Sequence, residues 1–305
     1  MKPNSVRSAE LLLNMRNQTG ESPVWHAQEQ SLYWVDIPAK TLFCYRIADQ
    51  SLHQWQSPEM LACLARGQAP GQWIAGAESG VFALAAVHGR ALELEPLAKV
   101  DHALAGMRFN DGRCDRQGRF LAGTMLMDMA AAASVGGVYQ LDLSGQLRQL
   151  LKGFITPNGM AFSPDGATMY LSDSHPQVRK VWSYDYHTES GIADHPRPFI
   201  DMADFAGRPD GAAMDADGCY WICGNDAGLV HRYTPAGQWD FSVSVPVPKP
   251  AMCAFGGPDL HTLYITSIRP ANAPPDGLDG SVFAIHLPDV QGFPEPPYTP
   301  AYQTA

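Results

Sequence analysis

One short apolar pattern returns six times along the chain: Tyr33-Trp-Val-Asp-Ile37, Trp73-Ile-Ala-Gly-Ala77, Phe120-Leu-Ala-Gly-Thr124, Tyr170-Leu-Ser-Asp-Ser174, Tyr220-Trp-Ile-Cys-Gly224 and Tyr264-Ile-Thr-Ser-Ile268. The intervals are 40, 47, 50, 50 and 44 residues. Each run opens on an aromatic residue and continues through small or β-branched ones. That composition suits a strand covered on both faces and crowded near an axis, so these runs are expected to be inner strands. A second apolar run follows each first one: Leu42 to Ile47, Val81 to Ala85, Gly137 to Leu143, Val181 to Tyr186, Leu229 to Thr234 and Val282 to Leu287. These alternate more clearly, as in Val138-Tyr-Gln-Leu-Asp-Leu143, and predict half-exposed strands. Turn signals such as Ser163-Pro-Asp-Gly166 and Asp215-Ala-Asp-Gly218 punctuate the series. No helical periodicity of ten or more residues interrupts it. Units of about 45 residues with several strands each have the size of propeller blades. The pattern therefore predicts an all-β chain, a six-bladed β-propeller forming one domain over residues 1–305.

A ring of blades has to be closed, and the extended apolar stretch Ala9 to Met15 is expected to add a strand to the blade carrying Tyr264 and Val282. The C-terminal segment 293–305 holds Pro294, Pro296, Pro297 and Pro300, which predicts an extended strap rather than a strand. Composition agrees with a folded β protein: 28 Gly and 25 Pro mark many turns, and charged residues are only 17% of the chain, against about 25% on average. Disorder is thereby excluded. Twenty-one basic residues against 31 acidic ones give a net charge of −10, and no Lys/Arg run reaches four. Nucleic acid and anionic membrane surfaces are poor partners for such a chain. No apolar stretch approaches the roughly 18 to 20 residues of a membrane helix. Leu11-Leu12-Leu13 is bracketed by Glu10 and Asn14, too short for a signal-peptide core. A cytoplasmic protein, monomeric or weakly homo-oligomeric, is expected. The six cysteines are scattered, and Cys219 and Cys223 sit in an apolar strand, so buried free thiols are expected rather than a metal or redox pair.

The chemistry lies just before three of the aromatic-led runs. Phe109-Asn-Asp-Gly-Arg-Cys-Asp-Arg-Gln-Gly118, Pro157-Asn-Gly-Met-Ala-Phe-Ser-Pro-Asp-Gly166 and Pro209-Asp-Gly-Ala-Ala-Met-Asp-Ala-Asp-Gly218 align without a gap. Asn110, Asn158 and Asp210 fill one column of this alignment, and Glu21 precedes the first aromatic run at a similar distance. Equivalent positions on different blades point toward one axis, so these oxygens are expected to converge. An oxygen-only set without His or Cys suits a hard divalent cation. Taken singly, each Asn-Gly or Asp-Gly reads as a turn dipeptide; the matched register is what favours a site. Arg108, two residues before Asn110, is expected to reach the same pocket. Asp173, His175, Asn225 and Asp226 follow later strands and fit loop roles equally well. The histidines form no ligand pair at short spacing, and no nucleophile elbow, P-loop or dinucleotide fingerprint is present.

Glu21-Ser-Pro-Val-Trp25, Val35-Asp-Ile-Pro-Ala-Lys40, Arg108-Phe-Asn-Asp-Gly112, Ala122-Gly-Thr-Met125, Pro157-Asn-Gly159, Pro209-Asp-Gly211 and Cys253-Ala-Phe-Gly-Gly257 together resemble the SMP-30/gluconolactonase (regucalcin-like) family. The resemblance runs from about residue 20 to 287, with the motifs in family order. It implies a metal-dependent lactonase acting on a sugar lactone, on a six-bladed propeller. Carried over position by position, it implies Glu21, Asn158 and Asp210 as metal ligands, with Arg108 and Asn110 contacting substrate. Asp128 stands where the family often has a Glu after its Gly-Thr-Met segment, and is the implied third substrate contact. The cation is one of Ca, Zn, Mg, Mn or Fe(II).

The residue chemistry agrees with that implication. A lactone carbonyl needs polarising, which a divalent cation does as a Lewis acid. Asp210 is the candidate base for the attacking water, with metal-bound hydroxide as the rival. Two other readings remain open. One is phosphotriester hydrolysis at a similar centre, with Trp25 and Met125 to Met129 lining a more apolar pocket. The other is a calcium-binding or interaction propeller without catalysis.

Overall fold

The computed structural model describes residues 7–300. Six sheets follow one another along the chain, each built on four antiparallel strands, one of them with a short fifth strand at its edge. Blade I comprises Gly20–His26, Ser31–Asp36, Thr41–Arg46 and Ser51–Gln56. Blade II comprises Leu61–Arg66, Gln72–Ala77, Gly80–Ala85 and Glu93–Lys99. Blade III comprises Met107–Cys114, Phe120–Leu126, Gly136–Leu141 and Leu147–Phe154. Blade IV comprises Pro157–Phe162, Thr168–Asp173, Lys180–His187 and Ile192–Asp201. Blade V comprises Arg208–Met214, Tyr220–Asn225, Leu229–Tyr233 and Trp239–Ser244. Blade VI takes Pro250–Gly256, Thr262–Ser267 and Val282–His286 from the end of the chain and Glu10–Leu13 from its beginning. The first strand of each blade packs on the first strands of both neighbours, VI meeting I, so the blades close into a ring. The six-bladed propeller expected from the repeats is the fold.

The N-terminal closure also holds: Glu10 and Leu11 pair with Ala284 and Phe283. Arg7 and Ser8 add something the pattern did not foretell, a parallel pairing on Val243 and Ser244 at the outer edge of blade V. The strap lacks strand structure as expected; its residues 301–305 lie outside the described ones. Among the described residues no helix is long and apolar enough to cross a membrane, and all six cysteines are buried and free.

One expectation is corrected. The aromatic-led runs are not innermost; each is the second strand of its blade. Burial on both faces was read properly, but the covering comes from adjacent blades rather than from an axis. Tyr33 meets Trp73 at 4.2 Å between blades I and II, Tyr170 meets Tyr220 at 5.1 Å between IV and V, and Trp221 meets Phe255 at 5.4 Å between V and VI. Rings of this size fill the wedge between two diverging sheets. A buried tryptophan such as Trp34 or Trp221 removes about 200 Å² from water, roughly 5 kcal/mol of gross driving force. The innermost strands hold the smaller and polar residues instead, including Glu21, Asn110, Asn158 and Asp210.

Every innermost strand is irregular near its start. Register shifts fall between Glu21 and Val24, Leu61 and Cys63, Phe109 and Gly112, Asn158 and Ala161, Pro209 and Ala212, and Pro250 and Cys253. A bulge turns the side chain beside it out of the regular alternation, and here it turns the polar column toward the axis. Asn158-Gly159 and Asp210-Gly211 are therefore bulge elements within strands, not turns. Gly159 has φ +58°, and a Cβ there would stand 2.6 Å from the Tyr220 hydroxyl and 2.8 Å from Ile222 Cδ1. That hydroxyl donates to Gly159 O at 2.6 Å, tying blade V to blade IV. Gly159→Ala is expected to destabilise by roughly 2–4 kcal/mol, from left-handed backbone strain and overpacking together. Gly145→Ala is the comparison, since Gly145 also has positive φ but meets nothing within 4 Å. Denaturant midpoints that drop equally for both variants would contradict the assignment.

The inner strands all begin at one end of the central channel and finish at the other. The strap crosses the finishing end: Phe293 N–H donates to Met214 O, Tyr298 N–H to Arg66 O and Thr299 N–H to Gly118 O. Glu295 accepts from Arg113 at 3.0 Å beneath it. A cavity of about 220 Å³, lined by Trp25, Met252, Phe255 and Phe293 among others, lies under the strap. The polar column occupies the other end.

Candidate metal and substrate site

Glu21 enters from blade I, Asn158 from blade IV and Asp210 from blade V, all at the starting end of the channel and all buried. Asn158 Nδ2 donates to Asp210 Oδ1 at 2.6 Å, and Asn225 Nδ2 to Asp210 Oδ2 at 2.6 Å. Ser22 N–H donates to Glu21 Oε2 at 3.1 Å. Ser22 itself sits at φ +50°, and its hydroxyl accepts from Leu64 N–H of blade II, which fixes the bulge carrying Glu21.

The electrostatics of this floor are those of crowded, buried carboxylates. Burial pushes Glu21 well above the usual carboxylate range, and the negative charges of Asp210 and Asp111 push it further. Burial lifts Asp210 to about 7 although Arg208, Asn225 and Asn158 all favour its anion. Asp111 is raised as well, again by burial first. Its Oδ2 accepts from Met160 N–H at 2.8 Å, while its Oδ1 has no partner. When ionised, carboxylates packed this way repel one another, and a cation among them would relieve the repulsion. The oxygen-only donor set of Glu21, Asp210 and Asn158 fits a hard divalent one. The Asn158 amide aimed at Asp210 presents oxygen to the same point after a half-turn of the amide.

Arg108 and Asn110 stand half-buried on blade III beside this floor. Arg108 Nη1 donates to Asn110 Oδ1 at 3.0 Å and to Phe109 O at 2.6 Å, and Asn110 Nδ2 donates to Pro157 O at 3.1 Å. The pair is thus held across to blade IV, and Arg108 lies close enough for its charge to favour the Glu21 anion. Asp128 lies on the same end of the propeller but is exposed. Its carboxylate accepts from Ala130 N–H at 3.1 Å and caps the short turn Met129–Ala131. That turn is fastened to blade IV, with His175 Nε2 3.2 Å from Met129 O.

Of the residues given equal loop roles, Asp173 is a brace: its carboxylate accepts from Ile155, Thr156 and His175 N–H groups. Asn225 belongs to the site through Asp210, and Asp226 pairs with Arg208 and Lys249. Sequence reasoning passed over Asp111 and Arg208. A signal for Arg208 was available, because it precedes Asp210 by the same two residues that separate Arg108 from Asn110. Asp111 had no comparable signal, since an Asp beside a bulge glycine reads as turn chemistry. Asp185, Asp194 and His195 also approach one another. They lie on the outer strands of blade IV, where Arg197 and His187 already pair with them.

Comparison with known proteins shows which family the chain belongs to. Residues 19–269 match the family described as the SMP-30/gluconolactonase/LRE-like region. The chain is 38% identical over 281 residues to the 6-deoxy-6-sulfogluconolactonase of Pseudomonas putida, covering 91% of this chain and 94% of that protein. It is 35% identical over 271 residues to the L-arabinolactonase of Azospirillum brasilense, covering 86% and 84%. The crystal structure of regucalcin, a calcium-binding protein from Agrobacterium tumefaciens str. C58, superposes with a TM-score of 0.87 at 26% identity, covering 96% and 97%. A match over most of the chain, on a six-bladed ring with this polar column at its axis, places the protein in the SMP-30/gluconolactonase family.

Proposed function

We propose that the protein hydrolyses a sugar lactone to the corresponding aldonic acid with the help of one divalent cation. The observation that carries this reading is the placement of Glu21, Asn158 and Asp210 from three blades at one end of the channel, with burial raising the pKa of both carboxylates. The similarity to proteins named as lactonases supports it further. Glu21, Asn158 and Asp210 would hold the cation, which supplies Lewis acidity toward the lactone carbonyl oxygen.

The chain's own residues do the rest. Arg108 presents N–H donors to substrate oxygens, and Asn110 fixes its guanidinium. Asp210, its carboxylate aligned by Asn225, takes a proton from the attacking water as the new carbon–oxygen bond forms. That proton passes to the ring oxygen when the ring carbon–oxygen bond breaks. The product acid then loses its own proton to solvent. General-base help of this kind is worth about 10²–10⁴ in rate. Asp128 borders the mouth, where its carboxylate can accept from a sugar hydroxyl.

The test is a panel of gluco-, galactono-, arabino- and xylonolactones, with acid release followed in weak buffer while Ca, Mg, Mn, Zn or Fe(II) is supplied in turn. At least one pairing is expected to give turnover well above spontaneous opening. Turnover of none, alongside binding of calcium, would favour the non-catalytic reading instead.

A further inference from the structure

Arg208 and Arg108 occupy the same position on the inner strands of blades V and III, two residues before Asp210 and Asn110. They are built in differently. Arg208 Nε donates to Asp226 Oδ2 at 2.6 Å, but its terminal nitrogens have only long contacts. Nη1 stands 3.3 Å from Ser174 O and Nη2 3.4 Å from Asn225 Oδ1. Bonds of that length are weak. Lys249 pairs with the other oxygen of the same Asp226 carboxylate. One carboxylate thus serves two cations; Asp210 lies near enough for the Arg208 charge to favour its anion, but its oxygens bond Asn158 and Asn225 and leave the guanidinium edge unclaimed. The side chains of Arg208 and Lys249 are 24% and 26% exposed, so solvent and solutes reach them. Asn225 touches both Arg208 and Asp210, which puts the under-used guanidinium edge one side chain away from the proposed base.

Resting on the lactonase reading, we infer that Arg208 and Lys249 form an anion subsite at the blade V–VI side of the mouth. It selects lactones that carry a sulfonate, phosphate or carboxylate at the end remote from the ring carbonyl. A neutral hydroxyl uses one donor. An oxyanion uses both terminal nitrogens of Arg208 as a fork, with Lys249 adding a point charge. Arg108 and Asn110 hold the opposite side of the ring, so the subsite sets which substituent is accepted without taking part in bond breaking.

The experiment compares kcat/KM for neutral glucono-1,5-lactone with its analogues bearing sulfonate, phosphate or carboxylate at carbon 6, at two salt concentrations. At least one anionic lactone is expected to exceed the neutral one by about tenfold or more, and the advantage should shrink in high salt. The anion opened best identifies the substituent. Arg208→Gln should cut the anionic-to-neutral ratio about tenfold, through KM, whereas Arg208→Lys keeps part of it. The ratio is internal to each variant, so partial misfolding cancels. Equal treatment of neutral and anionic lactones by the unaltered protein, or an unchanged ratio in Arg208→Gln, overturns the inference alone. Failure to open any lactone, neutral ones included, overturns the lactonase reading and the subsite with it.

Discussion

Asp210→Asn is expected to lower kcat/KM for lactones by about 10³ or more while raising the melting temperature of the chelator-treated protein at pH 8. In the proposed mechanism Asp210 faces the cation and also acts as base, so its loss would remove both a ligand charge and a proton acceptor. The gain in stability follows from the same burial. The Asp210 carboxyl ionises near 7 in the folded chain, against about 3.9 when unfolded. Between those values the folded state binds the extra proton, so stability declines as pH rises from about 4 through 7. Above 7 the ionised, buried group carries the full penalty, which the amide escapes. The stability advantage of the variant should therefore be present at pH 8 and vanish near pH 4. Amides on both sides complicate the hydrogen bonding, since Asn158 and Asn225 each donate to Asp210; one of them must turn. A variant that is both inactive and less stable at pH 8 would mark Asp210 as a structural residue. One that turns over normally would remove it from the mechanism.

How much of this was legible beforehand depends on which physical signal a residue leaves in the sequence. Blade count came from recurrence, and recurrence survives because every blade repeats the same packing problem. The radial order of the strands did not come through. Tyr33, Trp73 and Tyr220 are buried on both faces, and from periodicity alone a strand between two blades cannot be told from a strand at an axis. The pairing of Arg7 and Ser8 with blade V was equally hidden, because two residues of parallel ladder leave no pattern.

The candidate site was legible in the part that obeys the repeat. Asn110, Asn158 and Asp210 share a column because the bulge recurs at the same place in blades III, IV and V. Glu21 follows the same rule in blade I, where Ser22 takes the strained position. Residues that act from another strand or another blade were not legible. Asn225 reaches Asp210 from the next strand, and Asp111 reaches Met160 from the next blade. Neither contact follows from any spacing along the chain. Asp128 shows the limit of motif transfer: its position follows the expected segment, yet its carboxylate is engaged as a helix cap. A substrate hydroxyl has to compete with Ala130 N–H for it.

The affinity for divalent metal is expected to fall steeply between pH 8 and pH 6, by about tenfold for each proton displaced per pH unit. Ligand carboxylates must be ionised to bind, and burial makes both proposed ligands, Glu21 and Asp210, resist ionisation. Burial and the neighbouring negative charges of Asp210 and Asp111 hold Glu21 protonated well above the usual range, and Asp210 keeps its proton up to about 7. Ordinary carboxylates, ionised from about pH 4 upward, would give a flat profile over this window. Metal binding near pH 6.5 should therefore release protons, that of Asp210 among them. Titration calorimetry in two buffers of different ionisation enthalpy counts them directly. Asp210→Asn should release fewer and bind more weakly. Lactone opening should be lost on chelation and return on adding metal, with the metal concentration for half-restoration rising as pH falls. An affinity constant across pH 6 to 8, with no proton released, would mean that Glu21 and Asp210 are not the groups that meet the cation.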